Sequence, residues 1–285
     1  ARHLRVPLDR QAVIRARGRG SLAFSLSVLF LLILGAAALA APLIAPRSPT
    51  DQDPVARFTP PGAAYLLGSD DLGRDILSRI IYGSRSALLV GIVSVSIAVA
   101  LGMTAGLVAG LAPAGVDNVV MLLMDGLLSF PTVLLAITVV SFLGYGLPQV
   151  MIAIGVIYSP TFARIVRAET LVIRTEEYVE ASRALGTRLP VIVFRHIVPN
   201  LLGKVIVQAS ITFALAVVVE ASLSYLGLGM QPPAASWGLM LKDARSFLAN
   251  APWMAIYPGL ALAFTVLCFN VIGDTLSERL NPKVR

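Results

Sequence analysis

The sequence predicts an all-α membrane protein with six transmembrane helices. Composition is the first reason: of 285 residues, 56% are hydrophobic and 14% charged, whereas soluble proteins average about 25% charged residues. A soluble domain of this size would need a charged surface that this chain cannot supply. The other reasons are six apolar segments of roughly membrane-spanning length and an uneven distribution of lysine and arginine between the segments that join them.

The six apolar segments are the predicted transmembrane helices, since a span needs about 20 mostly apolar residues. The first segment has a rival interpretation as a secretory signal, because Ala38-Leu39-Ala40 resembles a cleavage site. Its apolar run exceeds the roughly 7–15 residues of a signal core, which favours a permanent anchor. The predicted spans are Leu22–Ile44, Ser86–Leu111, Val119–Leu143, Pro148–Ala163, Val205–Leu226 and Met254–Ile272.

The basic residues predict that both termini lie in the cytoplasm. Sixteen lysines and arginines lie in the N-terminal tail, in residues 164–204 and in the C-terminal tail, against seven elsewhere. Basic residues concentrate on the cytoplasmic side, and only an even number of spans leaves both basic tails there. The net charge of +7 therefore indicates topology and requires no nucleic acid. The predicted order is a cytoplasmic basic tail (1–21), a first transmembrane helix (22–45), an extracytoplasmic loop (46–85) and a five-helix core (86–285).

The extracytoplasmic loop predicts an amphipathic helix lying at the membrane interface. Ser69-Asp70-Asp71 offers capping oxygens and negative charge at a helix start, and Gly83 is a plausible stop. For this helix, a simple connecting role is favoured at least as much as a role in binding a ligand. The apolar positions at helical spacing are Leu72, Ile76, Ile80 and Ile81, and the polar face carries Arg74, Asp75, Ser78 and Arg79.

The longest cytoplasmic segment contains a predicted elbow at residues 175–200. Thr175 can cap a first helix, Gly186 can end it with a positive φ, and Pro190 suits the first turn of a second helix that Pro199 opposes. Tyr178, Ala181 and Leu185 share one face of the first helix. On spacing alone, a docking elbow and an ordinary basic loop are equally favoured.

The second extracytoplasmic loop covers residues 227–253. Pro232 and Pro233 block helix continuation, and Ser236-Trp237-Gly238 leads into a possible re-entrant or interfacial helix over Leu239–Leu248. Trp237 and Trp253 suit the membrane interface, which predicts interfacial anchors.

Two acidic residues, Asp125 and Glu220, lie well inside predicted spans. A charge at the centre of a span costs roughly 2.5–3.5 kcal/mol on insertion scales, so both should face protein or a water-filled path. They predict either a polar patch on a translocation route or buried hydrogen bonds that fix helix packing, the latter slightly favoured for Asp125. Glu220 is near the outer end of its span, where it can contact the loop that follows.

The sequence argues against an enzyme. It has no G-x-x-x-x-G-K-[ST] phosphate loop, no H-E-x-x-H and no G-x-S-x-G. Its two histidines, His3 and His196, lie outside the spans, and its single cysteine, Cys268, excludes an intramolecular disulfide. A membrane-bound enzyme is therefore disfavoured, while an ion-coupled secondary transporter or channel stays open because of Asp125 and Glu220.

The elbow resembles a known motif. Residues 180–186, Glu-Ala-Ser-Arg-Ala-Leu-Gly, resemble the E-A-A-x-x-x-G loop of ABC-importer permeases, with Ser182 in place of the second alanine. Residues 195–200 resemble the R-H-I-L-P-N variant of the peptide branch, with Val198 replacing leucine. Residues 67–75, 124–131 and 220–229 resemble further motifs of that branch, and Pro232-Pro233 and Ser236-Trp237-Gly238 follow at the expected spacing. The chain thus resembles the C-type permeases of the dipeptide/oligopeptide/nickel importers.

This resemblance implies a type I ABC importer permease in the inner membrane of a bacterium or archaeon. It implies four partners besides lipid: a homologous B-type permease, two ATPase subunits that bind ATP and Mg, and an extracytoplasmic binding protein. No cofactor is expected in this chain. Peptides are the leading substrate, with nickel, glutathione and haem as alternatives.

The resemblance also assigns candidate residues. Those expected to couple to the ATPases are Glu180, Ala181, Ser182, Leu185, Gly186, Arg195, His196 and Pro199. Those expected along the translocation path are Asp125, Ser129, Pro131 and Glu220, and those expected to face the binding protein are Pro232, Pro233 and Trp237.

Overall fold

The computed structural model describes residues 10–280, and over this range the chain is helical, without β-strands beyond one isolated bridge. The predicted all-α class is confirmed. The helices are α1 (Arg10–Leu39), α2 (Ala41–Ile44), α3 (Ile76–Leu111), α4 (Ala114–Leu128), α5 (Thr132–Leu143), α6 (Leu147–Ile173), α7 (Glu177–Ala184), α8 (Leu189–Ile192), α9 (Val198–Tyr225), α10 (Trp237–Ala244) and α11 (Trp253–Leu280). Residues 1–9 and 281–285 of the predicted basic tails lie outside the described residues.

Five helical runs in the described part of the chain are long and apolar enough to cross a membrane. The third predicted span, Val119–Leu143, is broken into α4 and α5, which meet at 96°, so the count is six if this pair is one span. The break falls at Ser129-Phe130-Pro131 because proline lacks the N–H that would continue the helix. The five runs are Leu22–Leu39, Ile76–Leu111, Leu147–Ile173, Leu189–Tyr225 and Trp253–Leu280.

The α3 and α6 helices form the closest pair in the bundle. Glycines at 102, 106 and 110 place one turn after another of α3 against α6. A Cβ added at Gly102 would lie 2.5 Å from the Ser159 carbonyl oxygen, and one at Gly106 would lie 2.6 Å from the Ala163 oxygen. These contacts need a residue without a side chain. The fourth span was predicted to end at Ala163, but α6 continues to Ile173 with Pro160 buried inside it.

The predicted interfacial helix from Ser69 to Gly83 is wrong at both ends. Residues 69–75 form a loop closed by a bridge between Ser69 and Asp75, and α3 begins at Ile76 with the Asp75 carboxylate accepting from the Ser78 N–H at 2.8 Å. Helix α3 then runs through Gly83 to Leu111. Gly83 is not a stop: a Cβ there would lie 2.7 Å from Trp237 Cδ1, so this glycine admits the indole.

The elbow has the predicted two helices and a corner, with two corrections. Thr175 does not cap α7; Glu176 is at the N-cap, and the Thr175 hydroxyl donates to the Val172 carbonyl. Pro199 does not end the second helix. It lies in the first turn of α9, where a proline ring is tolerated, and a π-helical turn over Val193–Ile197 joins α8 to α9. The run from Leu189 to Tyr225 is therefore continuous.

The 227–253 loop folds back onto the bundle. Its helix α10 covers Trp237–Ala244, shorter than the predicted Leu239–Leu248, because a 3-10 turn follows; the Ser236 hydroxyl caps it by accepting from the Leu239 N–H at 3.2 Å. The interfacial-anchor prediction is wrong for Trp237, which is 2% exposed and donates its Nε1–H to the Ile80 carbonyl. The Trp253 Nε1–H likewise donates inward, to the Ser69 carbonyl.

Candidate functional site: the elbow and two charged regions

The bundle has an elbow end and a loop end. The elbow end is where α6 ends and α9 begins, and it includes residues 175–200. The loop end is where α3 begins and α10 packs, and it includes residues 227–253. Helix α9 connects the two ends.

The corner of the elbow is a Schellman turn. The Gly186 N–H donates to the Arg183 carbonyl at 2.9 Å, and the Thr187 N–H donates to the Ser182 carbonyl at 3.1 Å. Gly186 has a φ of +76°, and no atom lies within 4 Å of the position its Cβ would occupy. Glycine is therefore needed at this corner for its backbone conformation and not for space.

The elbow is held as one unit by contacts between its two halves. The Ser182 hydroxyl and His196 Nε2 lie 3.3 Å apart, and the Tyr178 and His196 rings are 5.7 Å apart. Asn200 Nδ2 donates to the Tyr178 hydroxyl at 3.3 Å. Beneath these groups, Val179 is buried. These contacts join α7 to the α8–α9 run.

The outward surface of the elbow carries exposed apolar side chains among exposed charged ones. Leu185 is 86% exposed, and Phe194 and Leu189 are exposed as well. The shared face of Tyr178, Ala181 and Leu185, which spacing predicted, thus points away from the bundle. Sequence reasoning missed Phe194, although an aromatic residue within a basic segment was a visible signal. The other candidate coupling residues on this surface that are exposed are Glu180, Arg195 and Pro199.

Asp125 meets an arginine from α6. Its Oδ1 accepts from Arg164 Nη2 at 2.6 Å, and about two turns earlier on α4 Asp117 accepts two hydrogen bonds of 2.5 Å each from Arg167. The sequence indicated that Asp125 needed a polar partner, but it did not identify Arg164, which was assigned to the basic segment after the span. Ser129 and Pro131 form the bend between α4 and α5. An open cavity of about 330 Å³ is lined by Asn118, Met121, Asp125, Arg164 and Arg167.

Glu220 does not line this cavity. It is buried near the loop end of α9, and its Oε1 accepts from the Ser224 hydroxyl at 2.7 Å. The Ser224 hydroxyl oxygen in turn accepts from the Met230 N–H at 3.1 Å. Glu220 thus contacts the following loop through the hydroxyls of Ser224 and Ser236, and the structure does not bring it together with Asp125.

A buried ionic cluster at the loop end was not predicted. Arg74 Nε donates to Asp70 Oδ2 at 2.6 Å, Arg74 Nη2 lies 3.3 Å from Asp243 Oδ2, and Arg79 Nε lies 3.6 Å from Asp70 Oδ2. Arg79 is 1% exposed, although these residues were expected on a solvated face. Burial first, and then the neighbouring Asp70 carboxylate, raise the pKa of the Asp71 carboxyl. The cluster joins the segment before α3 to α10.

The residues predicted to face a binding protein separate into two kinds. Pro232 and Pro233 are exposed. Trp237 is buried against α3, so its side chain is not available to a partner, and it instead fixes the position of α10.

Comparisons with known proteins agree with this architecture. The family described as binding-protein-dependent transport system inner membrane component matches residues 102–285. The chain is 42% identical over 248 residues to the dipeptide transport system permease protein DppC of Alkalihalophilus pseudofirmus, covering 87% of this chain and 82% of that protein. It is 44% identical over 225 residues to the glutathione transport system permease protein GsiD of Pectobacterium atrosepticum, covering 79% and 75%.

Among solved structures, the MetNI methionine ABC transporter in an inward-facing conformation aligns with a TM-score of 0.60. The alignment covers 71% of this chain and 96% of that chain at 21% identity, which shows a shared fold.

Proposed function

Because the chain belongs to the family of binding-protein-dependent transport system inner membrane components, we propose that it forms half of the membrane path of an ATP-driven importer of dipeptides and short oligopeptides. The observation that carries the proposal is the elbow: a rigid corner with an exposed apolar face, joined without a break to a membrane-spanning helix. Such a unit transmits motion from a partner at its surface to the membrane.

The partners follow from what this chain lacks and exposes. The family resemblance supports two separate ATPase subunits that bind ATP and Mg, and this chain itself has no G-x-x-x-x-G-K-[ST] loop. A second, homologous B-type permease completes the path. An extracytoplasmic binding protein delivers the substrate at the loop end, where Pro232 and Pro233 are exposed. The excess of basic residues at the elbow end and in the tails supports a cytoplasmic location for both termini in a bacterial or archaeal inner membrane.

Peptides are the proposed substrate because the relatives named for dipeptides cover most of the chain. Glutathione is the second candidate, since a permease named for its transport is 44% identical. Nickel and haem are further alternative substrates, which the family resemblance implies.

The coupling proposal is tested at Gly186. Replacing it with valine forces a β-branched side chain into a left-handed conformation at roughly 1–2 kcal/mol, which distorts the corner without filling any contact. We expect ATPase stimulation by the loaded binding protein, and peptide uptake, to fall by about tenfold in proteoliposomes holding the whole transporter. Gly115→Val is the matched control, because that glycine also has open space but lies in a helix with no positive φ.

Two results would contradict these proposals separately. Wild-type stimulation in the Gly186→Val transporter would overturn the assignment of the elbow as the coupling surface. Peptide uptake by this chain alone, driven by an ion gradient without ATPase subunits, would instead establish the rival class of ion-coupled secondary transporter.

A further inference from the structure

We propose that Arg164 binds the carboxylate terminus of a peptide as it passes through the membrane, and that Asp125 occupies that place when no peptide is bound. The proposal rests on the proposed peptide-import function and adds a contact within the path. The juxtaposition of a half-exposed arginine, a half-exposed carboxylate and an open polar cavity carries it.

The first step is the location of the pair. Arg164 lies nine residues before the end of α6, which puts it about 14 Å inside the helix from the elbow end. Its side chain is 54% exposed and that of Asp125 is 55% exposed. Arg164 opens the basic segment predicted to be cytoplasmic, so the pair lies toward the cytoplasmic end of the proposed path, where a charged group can face water. Here the cavity of about 330 Å³ is present, and both side chains line it.

The second step is the difference between the two arginines of this region. Arg167 donates one hydrogen bond from Nε to Asp117 Oδ1 and one from Nη2 to Asp117 Oδ2. This bidentate pair fixes α4 to α6. Arg164 makes one hydrogen bond to Asp125 and, among the described residues, no other hydrogen bond to protein. A guanidinium has five donors and prefers to hold a carboxylate through two parallel bonds. Arg164 therefore retains the donors that a second carboxylate needs.

Third, a carboxylate of a ligand can replace Asp125 as the partner of Arg164. An ion pair with both partners more than half exposed is weak, because water and salt screen it. A free carboxylate that makes the bidentate contact can displace Asp125 from Arg164. While no ligand is present, Asp125 keeps the arginine paired, so the site is not left as an unbalanced charge in the membrane.

The fourth step is the chemical class of the ligand. Every linear peptide carries a carboxylate at its C-terminus whatever its side chains, so a contact with that group accepts peptides of many sequences. The cavity is open to its surroundings, so its volume of about 330 Å³ sets no upper limit on the length of the peptide.

The experiment measures binding of a radiolabelled dipeptide to the purified whole transporter, without the binding protein, by equilibrium dialysis. We expect Arg164→Gln to weaken binding by about tenfold, and Asp125→Asn to tighten it severalfold because the internal competitor is gone. The same dipeptide with an amidated C-terminus should bind weakly and respond little to Arg164→Gln. Glu169→Gln is the matched control: Glu169 is also on α6 and pairs with Lys204, but it does not line the cavity.

A purely structural ion pair gives a different pattern. Loss of either partner then weakens binding in the same direction, and the exchange Asp125→Arg with Arg164→Asp restores it; either result overturns the proposal. Equal affinity for acid and amide, or no dipeptide binding to the wild-type transporter, overturns it too. Should Arg164→Gln fail to assemble, Arg164→Lys takes its place, since lysine keeps the charge and lacks the fork, and its affinity must fall.

Failure of this proposal is separable from failure of the proposed function. Peptide uptake by the complete wild-type transporter with its binding protein tests import itself. If uptake occurs and the dialysis pattern does not, only the role of Arg164 is wrong.

Discussion

The two ends of the bundle differ in how far their charged and apolar side chains are exposed. At the loop end, Arg79 is 1% exposed within an ionic cluster, and Trp237 is 2% exposed against α3. At the elbow end, Arg164 is more than half exposed, and Leu185 is 86% exposed. At the loop end the buried charged groups pair mostly with one another, although Arg79 Nη2 and Asp71 Oδ1 have no hydrogen-bond partner among the described residues. The elbow end has surfaces that only other molecules can cover.

This difference predicts where mutations act. A substitution in a buried, mutually dependent cluster leaves charges without partners, so it lowers the stability of the chain itself. A substitution on an exposed surface leaves the fold intact and changes only what binds there. The three predictions below apply this distinction, from the largest expected change in stability to the smallest.

Replacing Arg79 with methionine should be the most destabilising change. It leaves the buried Asp70 carboxylate with one arginine fewer, and breaking a buried ion pair by removing one partner costs roughly 3–5 kcal/mol. Thermal unfolding in detergent should show a clear drop in Tm. Arg245→Met is the control, because that arginine also lies near α10 but is exposed. Equal Tm values for the two variants would show that the cluster is not a stabilising unit.

Gly238→Ala should have an intermediate effect. The new Cβ would lie 2.4 Å from the Ala221 carbonyl oxygen, and backbone cannot move aside as a flexible side chain does. Overpacking of this kind costs roughly 1–3 kcal/mol. Gly259→Ala serves for comparison, since its nearest atom would be 3.9 Å away. The measurement is again detergent unfolding, and a Gly238→Ala chain as stable as Gly259→Ala would mean that α10 is loosely held.

Leu185→Ser should change stability least, by less than about 0.5 kcal/mol, because the side chain is almost fully exposed. Its effect should appear in copurification of the ATPase subunits, which should fall. Val179→Ser, six residues earlier and buried, should instead lower Tm. If Leu185→Ser destabilised the isolated chain, the exposed elbow face would belong to the fold and not to a partner.

Local features were predictable from sequence where a single residue determines them. The corner at Gly186 followed from the residue itself, because a Schellman turn needs a positive φ that glycine adopts without strain. The need of Asp125 for a polar partner followed from the cost of a charge in a span. The identity of that partner did not, since Arg164 is 39 positions away and only the packing of α4 on α6 brings it near.

Other features were mispredicted because tertiary contacts override local signals. Local sequence predicts that a helix ends at Gly83. In the structure α3 continues through Gly83, and the missing side chain lets Trp237 approach. Arg74 and Arg79 follow a helical polar stripe, and their burial depends on Asp243, which is more than 160 residues away. The bend in the third span had a local signal in Pro131. The prediction of one straight helix gave its apolar flanks more weight than the proline.

The continuous helical run from Leu189 to Tyr225 connects the elbow to the loop end of the bundle. Its 37 residues span about 55 Å, so a tilt of about 5° at one tip displaces the other by about 5 Å. The far tip carries Glu220, whose hydroxyl partner holds the next loop. If the elbow is the proposed coupling surface, a small displacement of it by a partner would be carried along this run, through the π-helical turn at Val193–Ile197, to the loop at the other end of the bundle.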